Sequence, residues 1–230
     1  MLFFIEGENT SFPNPDFADD DGLLAVGGDL SVPRLISAYT NGIFPWYTVD
    51  GVPFWYSPDP RFVLFPPNLT VSKSMRQLFK KNAFTVTADT CFAEVIRNCA
   101  VVERRGDAGT WITGDFIDAY IKLHKEGIAH SVEVWSGDRL VGGLYGVAYG
   151  RVFTGESMFT HVSNASKYGF IKMVQLLSTH GFQLIDCQDY SDHLRSMGAT
   201  DIPRSQFLQI IHANNQEEFT AVNWEKLFAG

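Results

Sequence analysis

Two short segments place polar groups where the surrounding residues are apolar. The first is Asp186-Cys187-Gln188, at the end of the run Phe182-Gln183-Leu184-Ile185. This run reads as a buried strand that passes into a loop, and a sheet fixes the position of its last side chains. Strand alternation places Asp186 and Gln188 on one face and Cys187 on the other. A carboxylate and an amide side by side both accept hydrogens, so together they can grip an amine. A helix cap near Ser191, or a plain structural hydrogen bond, asks for the same residue types, and both readings stand at this point. The second segment is Gly155-Glu156-Ser157-Met158-Phe159, in a stretch that otherwise reads as central strand. Glycine there loosens packing or lets another backbone approach closely. A carboxylate beside it is expensive to bury unless paired. An edge strand with Glu156 facing water is the alternative.

Other chemistry is less well supported. Cys187 has the nucleophile's side chain but no identifiable histidine partner, and a core thiol is the better reading. The six histidines show neither HExxH nor HxH spacing, so no metal site is expected. Gly27-Gly28 and Gly142-Gly143 match neither GxGxxG nor a P-loop, so no nucleotide cofactor is expected. Trp46, Trp55 and Trp111 fall in segments that read as loops. Exposed rings can stack on a base, although most tryptophans pack a core. Lys73, Arg76 and Lys80 share one face of a helix at i, i+3, i+7 in a segment without acids. That face is either simply solvated or a contact for a polyanion.

The elements that must hold these groups begin after a proline-rich opening. Phe12-Pro13, Phe44-Pro45-Trp46-Tyr47 and Pro53-Phe54-Trp55-Tyr56-Ser57-Pro58-Asp59-Pro60 argue against long helices and central strands over the first sixty or so residues, because proline removes a donor and fixes φ. One helix is expected there, with Ser31 as N-cap, Pro33 in its first turn and Asn41-Gly42 as its stop. Gly27-Gly28-Asp29 reads as a tight turn. Pro58, Pro60 and Pro66-Pro67 mark a boundary near residue 62. Beyond it, helices are expected over 72–81, 90–98 and 114–126, the last capped by Thr113 and ended by Gly127. Strands over 130–135, 140–148 and 152–159 should form an antiparallel meander. A helix over 164–180, the strand ending in Asp186-Cys187 and short helices near 191–197 and 203–213 complete an α+β layout in which that strand joins the meander's sheet.

Composition narrows the classes. The chain has 230 residues, 45% of them hydrophobic, enough for a full core. It has no apolar run long enough to span a bilayer and no signal-peptide pattern at Met1-Leu2-Phe3-Phe4-Ile5-Glu6, so a cytoplasmic location without a membrane partner is expected. Three cysteines without CxxC spacing fit reduced thiols. The net charge of −8 disfavours nucleic acid as a partner of the whole surface, though a local patch is what touches a phosphate backbone.

A set of longer stretches carries a resemblance. They are Gly22-Leu23-Leu24-Ala25-Val26-Gly27-Gly28-Asp29-Leu30, Gly42-Ile43-Phe44-Pro45-Trp46, Trp55-Tyr56-Ser57-Pro58-Asp59-Pro60-Arg61, Thr110-Trp111-Ile112-Thr113, His130-Ser131-Val132-Glu133-Val134-Trp135, Val141-Gly142-Gly143-Leu144-Tyr145-Gly146, Gly155-Glu156-Ser157-Met158-Phe159, Asn164-Ala165-Ser166-Lys167 and Leu184-Ile185-Asp186-Cys187-Gln188. In this order the sequence resembles the leucyl/phenylalanyl-tRNA–protein transferases. The resemblance implies an α+β fold: a small N-terminal domain over 1–62 and an acetyltransferase-like (GNAT-like) domain over 63–230, with a mixed, mostly antiparallel sheet flanked by helices. It implies transfer of leucine or phenylalanine, less readily methionine, from aminoacyl-tRNA to proteins beginning with arginine or lysine, which marks them for N-degron degradation. It implies a monomer with no cofactor and no metal. By the same resemblance Asp186 and Gln188 match the catalytic pair and Glu156 a residue of the active site. Trp46 and Trp111 match residues that hold the terminal adenosine. Leu144, Phe153, Met158, Met173 and Ile185 match the aminoacyl side-chain pocket. Leu144 stands where methionine is familiar and Met173 where phenylalanine is, and both changes keep the pocket apolar.

An aminoacyl ester is already activated, so the enzyme's tasks are to orient an amine against it and to manage the released proton. The expected arrangement has the Gln188 carbonyl gripping the amine, Asp186 orienting Gln188 and stabilising positive charge on the attacking nitrogen, and Glu156 holding the basic first residue of the acceptor. Lys73, Arg76 and Lys80 would then contact the tRNA backbone. Two rival readings are a CoA-dependent N-acetyltransferase and a non-catalytic tRNA- or degron-binding module. The first needs a glycine-rich pyrophosphate turn, and Thr160-His161-Val162-Ser163-Asn164-Ala165 contains no glycine.

Overall fold

Two sheets share the chain unequally, and the two polar segments lie on neighbouring strands of the larger one. The structure is a computed structural model that describes residues 2–101, 111–220 and 222–228. Thr110 of the Thr110–Thr113 stretch lies outside the described residues. The first part of the chain forms β1 (Phe3–Ile5), β2 (Leu23–Gly27), α1 (Val32–Thr40), β3 (Phe44–Val49) and β4 (Val52–Tyr56). Its four-stranded sheet has the order β1-β2-β4-β3.

The proline-rich opening therefore does contain a central strand, against expectation. The prolines sit where a missing N–H does little damage. Pro45 lies in edge strand β3 at a register shift, and Pro53 pairs with Thr48 of β3 but lies beyond the residues of β4 that pair with β2. Trp46, in β3, and Trp55, in β4, are likewise in strand rather than loop, and Trp55 is the more deeply held. It is fully buried and donates its indole N–H to the Gly27 carbonyl at 2.9 Å.

The remainder supplies β5 (Arg61–Leu64), α2 (Lys73–Lys80), β6 (Thr85–Ala88), α3 (Phe92–Val101), α4 (Gly114–Lys125), β7 (Ala129–Ser136), β8 (Arg139–Tyr149), β9 (Val152–Thr160), α5 (Ala165–Thr179), β10 (Leu184–Gln188), α6 (Asp192–Arg195), β11 (Thr200–Ile202) and α7 (Arg204–Gln216). The seven-stranded sheet has the order β11-β5-β10-β9-β8-β7-β6. β7, β8 and β9 form the expected antiparallel meander, and β10 returns beyond α5 to pair parallel with β9. Ser31 and Thr113 occupy the N-cap positions of α1 and α4, but neither side chain makes a capping hydrogen bond.

Helices cover both faces of the large sheet, so its central strands are buried on both sides. One apolar cluster joins Leu24, Leu35, Phe44 and Trp55 of the first sheet's region to Val95, Phe116, Tyr120, Tyr145 and Phe159. On the other face Val132, Leu144, Phe153 and Ile185 pack against Tyr168, Phe170, Met173 and Leu177 of α5. Gly142 allows that approach, since a Cβ there would lie 2.7 Å from the Ala165 Cβ. No described helix is long and apolar enough to cross a membrane.

Candidate active site

Strands β9 and β10 begin as neighbours and then part. Their parallel pairing runs from Leu184 with Val152 to Asp186 with Thr154 and goes no further. Two irregularities accompany the split. On β9, Tyr145 pairs with Ser157 and Gly146 with Gly155, which leaves Glu156 as an extra, bulged residue. On β10, a register shift between Asp186 and Gln188 coincides with a positive φ of 65° at Gln188. A cavity of about 630 Å³ opens between the strands, within the usual range for a small-molecule site.

Its lining brings most of the singled-out residues together. Leu144, Phe153, Met158 and Ile185 form apolar wall, Trp46 and Trp111 contribute rings, and Glu156, Asp186 and Gln188 contribute polar groups. Met173 does not line it. It is fully buried in the cluster behind the wall, because the cavity meets α5 about one and two turns earlier, at Phe170 and Ser166. Lys73, Arg76 and Lys80 are exposed on α2, away from the cavity lining. Cys187 is on the lining, and burial holds its thiol far above the ordinary range, so it is not a ready nucleophile.

Asp186 is bound to Arg61, a residue that the sequence reading did not single out. The guanidinium donates from Nε to Oδ1 at 2.8 Å and from a terminal nitrogen to Oδ2 at 2.7 Å. Both residues are about 1% exposed, so this is a buried bidentate ion pair. The Arg61 guanidinium lies 4.7 Å from the Phe44 ring centre and 4.5 Å from that of Phe207. Asp186 Oδ1 also accepts the backbone N–H of Gln188 at 3.0 Å, which ties the turn at Gln188 to the sheet.

The Gln188 side chain is held by Glu156 instead. Its Nε2 donates to Glu156 Oε1 at 2.8 Å, leaving the amide oxygen as the free end. Tyr39 donates to the same oxygen at 2.8 Å and Tyr120 to Oε2 at 3.0 Å. The two tyrosine hydroxyl oxygens also lie against each other, and with both protons given to Glu156 that contact carries no hydrogen of its own. Burial drives the Glu156 carboxyl up to about 7, against the lowering effect of these donors and with a further rise from Asp186. The geometry thus redistributes two expected roles. Asp186 orients Gln188 through the backbone only, and the side-chain partner is Glu156. With three donors on its two oxygens, Glu156 is a holder of Gln188 rather than a hand for the acceptor's basic side chain.

Tyr39, Tyr120, Phe170 and His193, which also lines the cavity, were missed as site residues. Tyr39 and Tyr120 read as apolar-face positions of their helices, and nothing local shows that their hydroxyls meet a carboxylate. Arg61 left a signal: it is a cation heading the apolar run Phe62-Val63-Leu64-Phe65. One group of potential metal ligands occurs among the described residues, Asp89, His124 and His130. Three of its four ring nitrogens are engaged within the fold, His124 Nδ1 with the Ala129 carbonyl at 2.9 Å and His130 with the Gly127 carbonyl at 3.1 Å and Asp89 at 2.7 Å.

Residues 63–212 match the family described as leucyl/phenylalanyl-tRNA protein transferase, and residues 28–59 match that family's N-terminal domain. The chain belongs to the leucyl/phenylalanyl-tRNA protein transferase family. It is 54% identical over 225 residues to the leucyl/phenylalanyl-tRNA–protein transferase of Syntrophobacter fumaroxidans, covering 98% of this chain and 96% of that one. It is 53% identical over 212 residues to that of Christiangramia forsetii, covering 91% and 100%. Among solved structures it is similar to a GCN5-related N-acetyltransferase from Kribbella flavida at 12% identity and a TM-score of 0.39, covering 72% of this chain and 59% of the other. As a family member the chain is an aminoacyltransferase.

Two expectations for such an enzyme arise directly from this geometry. Gly155 lines the gap, and a Cβ there would meet only the Asp186 carbonyl oxygen, at 3.8 Å. The position therefore has room in the protein but not for a side chain and a substrate together. Gly155→Val is expected to melt close to wild type and to lose at least about 10²-fold in transfer rate through substrate displacement, measured by thermal unfolding and single-turnover transfer.

The second concerns pH. Ionised Glu156 accepts the Gln188 amide hydrogen, and protonation near pH 7 takes away the charge that makes that hydrogen bond strong. The acceptor amine is itself neutral only above about 7.7–8.0. Wild type is therefore expected to fall with a two-proton slope of log kcat/KM below pH 7. Glu156→Gln, weaker throughout, should show a one-proton slope. Equal slopes would remove Glu156 ionisation from the reaction.

Proposed function

We propose that the cavity between β9 and β10 holds the aminoacyl end of a leucyl-, phenylalanyl- or, less readily, methionyl-tRNA while an acceptor protein's α-amine attacks the ester carbonyl. The supporting observation is the convergence of an apolar wall, two half-buried tryptophans and a clamped amide on one cavity. The wall of Leu144, Phe153, Met158 and Ile185 takes the amino-acid side chain. It discriminates weakly among apolar chains, by about 1–3 kcal/mol per methylene, and rejects charged ones that would lose their water. Trp46 is packed edge-on by Tyr56 at 4.9 Å and Trp111 by Phe116 at 5.3 Å, which fixes each ring for stacking on the terminal adenosine.

Gln188 presents its amide oxygen to the incoming amine, since its nitrogen is committed to Glu156. As the C–N bond forms, the amine nitrogen gains positive charge. The amide oxygen favours that charge, while the Asp186 carboxylate is already neutralised by Arg61. The ester C–O bond then breaks, and the proton lost by the nitrogen ends on the ribose oxygen, which departs with the tRNA as a hydroxyl. In this reading Gln188 touches the reacting nitrogen, while Asp186, Arg61, Glu156, Tyr39 and Tyr120 hold it in place. The acceptors are proteins beginning with arginine or lysine, and the enzyme acts as a cytoplasmic monomer with a small domain over 1–62 and the catalytic domain over 63–230.

The deciding experiment mixes purified protein, labelled Leu-tRNA and an Arg-starting peptide without ATP, CoA or metal. Labelled peptide is the expected product, and tRNA binding without transfer would leave a binding module only. The exposed face of Lys73, Arg76 and Lys80 is assigned to the tRNA backbone. The double charge reversal Arg76→Glu, Lys80→Glu is expected to reduce the slope of log K against log[salt] by about two, with kcat retained at saturating tRNA. An unchanged slope would leave that face solvated and nothing more.

A further inference from the structure

Three carboxylates line the cavity, Glu156, Asp186 and Asp189, and two of them are spent. Glu156 takes three donors on its two oxygens. Asp186 is locked to Arg61 on both oxygens. Asp189 differs in each respect. It is exposed, and its carboxylate makes no hydrogen bond or ion pair with any described residue, although its backbone N–H donates to the Cys187 carbonyl at 2.8 Å. The cation over the ring of the adjacent Tyr190, Arg195, is already paired with Asp201.

We propose that Asp189 is the specificity residue for the acceptor, gripping the guanidinium or ammonium of its first side chain. This rests on the aminoacyl-transfer reading above. Asp189 directly follows Gln188, so their Cα atoms are about 3.8 Å apart, and the turn at Gln188 carries both to the cavity rim. An acceptor whose α-amine meets the Gln188 oxygen has its own side chain rooted one bond from that amine. A lysine or arginine side chain then spans a few ångströms to a free carboxylate next along the chain. Guanidinium engages such a carboxylate through two parallel N–H donors.

The test compares leucine transfer from Leu-tRNA to peptides that start with arginine or with citrulline, its neutral near-isostere. Wild type is expected to prefer arginine. In Asp189→Asn the KM for the arginine peptide should rise about three- to tenfold, the scale of a part-exposed charged contact. Its KM for the citrulline peptide and for Leu-tRNA should stay near wild type, so the arginine-to-citrulline preference shrinks. Asp189→Lys should reverse the preference in favour of a peptide that starts with glutamate. An arginine preference intact in both variants overturns the assignment of Asp189 while the transfer reading stands. Absence of transfer by wild type to any peptide sinks the transfer reading itself.

Discussion

Gln188→Ala is expected to lower kcat for transfer by about 10²–10³ while the KM for aminoacyl-tRNA stays within about twofold. The separation follows from where binding energy and chemistry reside. The aminoacyl end is held by the apolar wall and the two tryptophans, none of which touches the Gln188 side chain through a hydrogen bond. Gln188 contributes a single acceptor, aimed at a nitrogen that becomes positive only as the bond forms, so its loss is felt in the transition state. Gln188→Glu separates position from polarity. It keeps the shape and an oxygen but gives up the Nε2–H that Glu156 accepts at 2.8 Å, and it sets two carboxylates against each other. It should recover little of the lost rate at neutral pH. Single-turnover transfer with labelled Leu-tRNA checks both, and an alanine variant within threefold of wild type would exclude Gln188 from contact with the amine.

Arg61→Met is expected to damage stability and rate together. It leaves Asp186, about 1% exposed, without its counter-charge. Breaking a buried pair from one side costs about 3–5 kcal/mol, which for a chain of this size lowers Tm by about 6–20 °C. The rate falls as well, because Asp186 is what accepts the Gln188 backbone N–H at 3.0 Å. Arg61→Lys keeps the charge but not the two-pronged geometry and should fall between. The double variant Arg61→Met, Asp186→Asn removes both charges. It should regain much of the melting temperature, since no unpaired buried charge remains. Calorimetry on the four proteins decides the stability claim, and an Arg61→Met melt within 2 °C of wild type would refute it.

Much of the frame was legible before any coordinates. Apolar periodicity, glycine stops and turn residues place α1 to α5 and the β7-β8-β9 meander close to where they form, because those signals are local and each element buries a face that its own pattern defines. The polar interruptions at Glu156 and Asp186-Cys187-Gln188 also stood out, since charge inside an apolar strand needs a reason. The proline-rich opening misled. Its prolines were read as breakers, yet a register shift and an unpaired strand end absorb them, and both depend on neighbours distant in sequence. Met173 misled for another reason: the resemblance carried it over as pocket lining, and here it packs behind the wall, in the core cluster on that face of the sheet.

By itself the sequence determined most helices, the β7-β8-β9 meander and the identity of the polar groups, because these depend on residue type and short-range spacing, while the class of chemistry came from the longer resemblance. Tertiary structure decided their partners. Arg61 is 125 positions from Asp186, Tyr39 is 117 from Glu156, and Glu156 is 32 from Gln188. Which carboxylate is neutralised, which is clamped and which is left free follows from the bulge at Glu156 and the parting of β9 from β10. Both arise only when strands far apart in the chain meet, and no local pattern encodes that meeting.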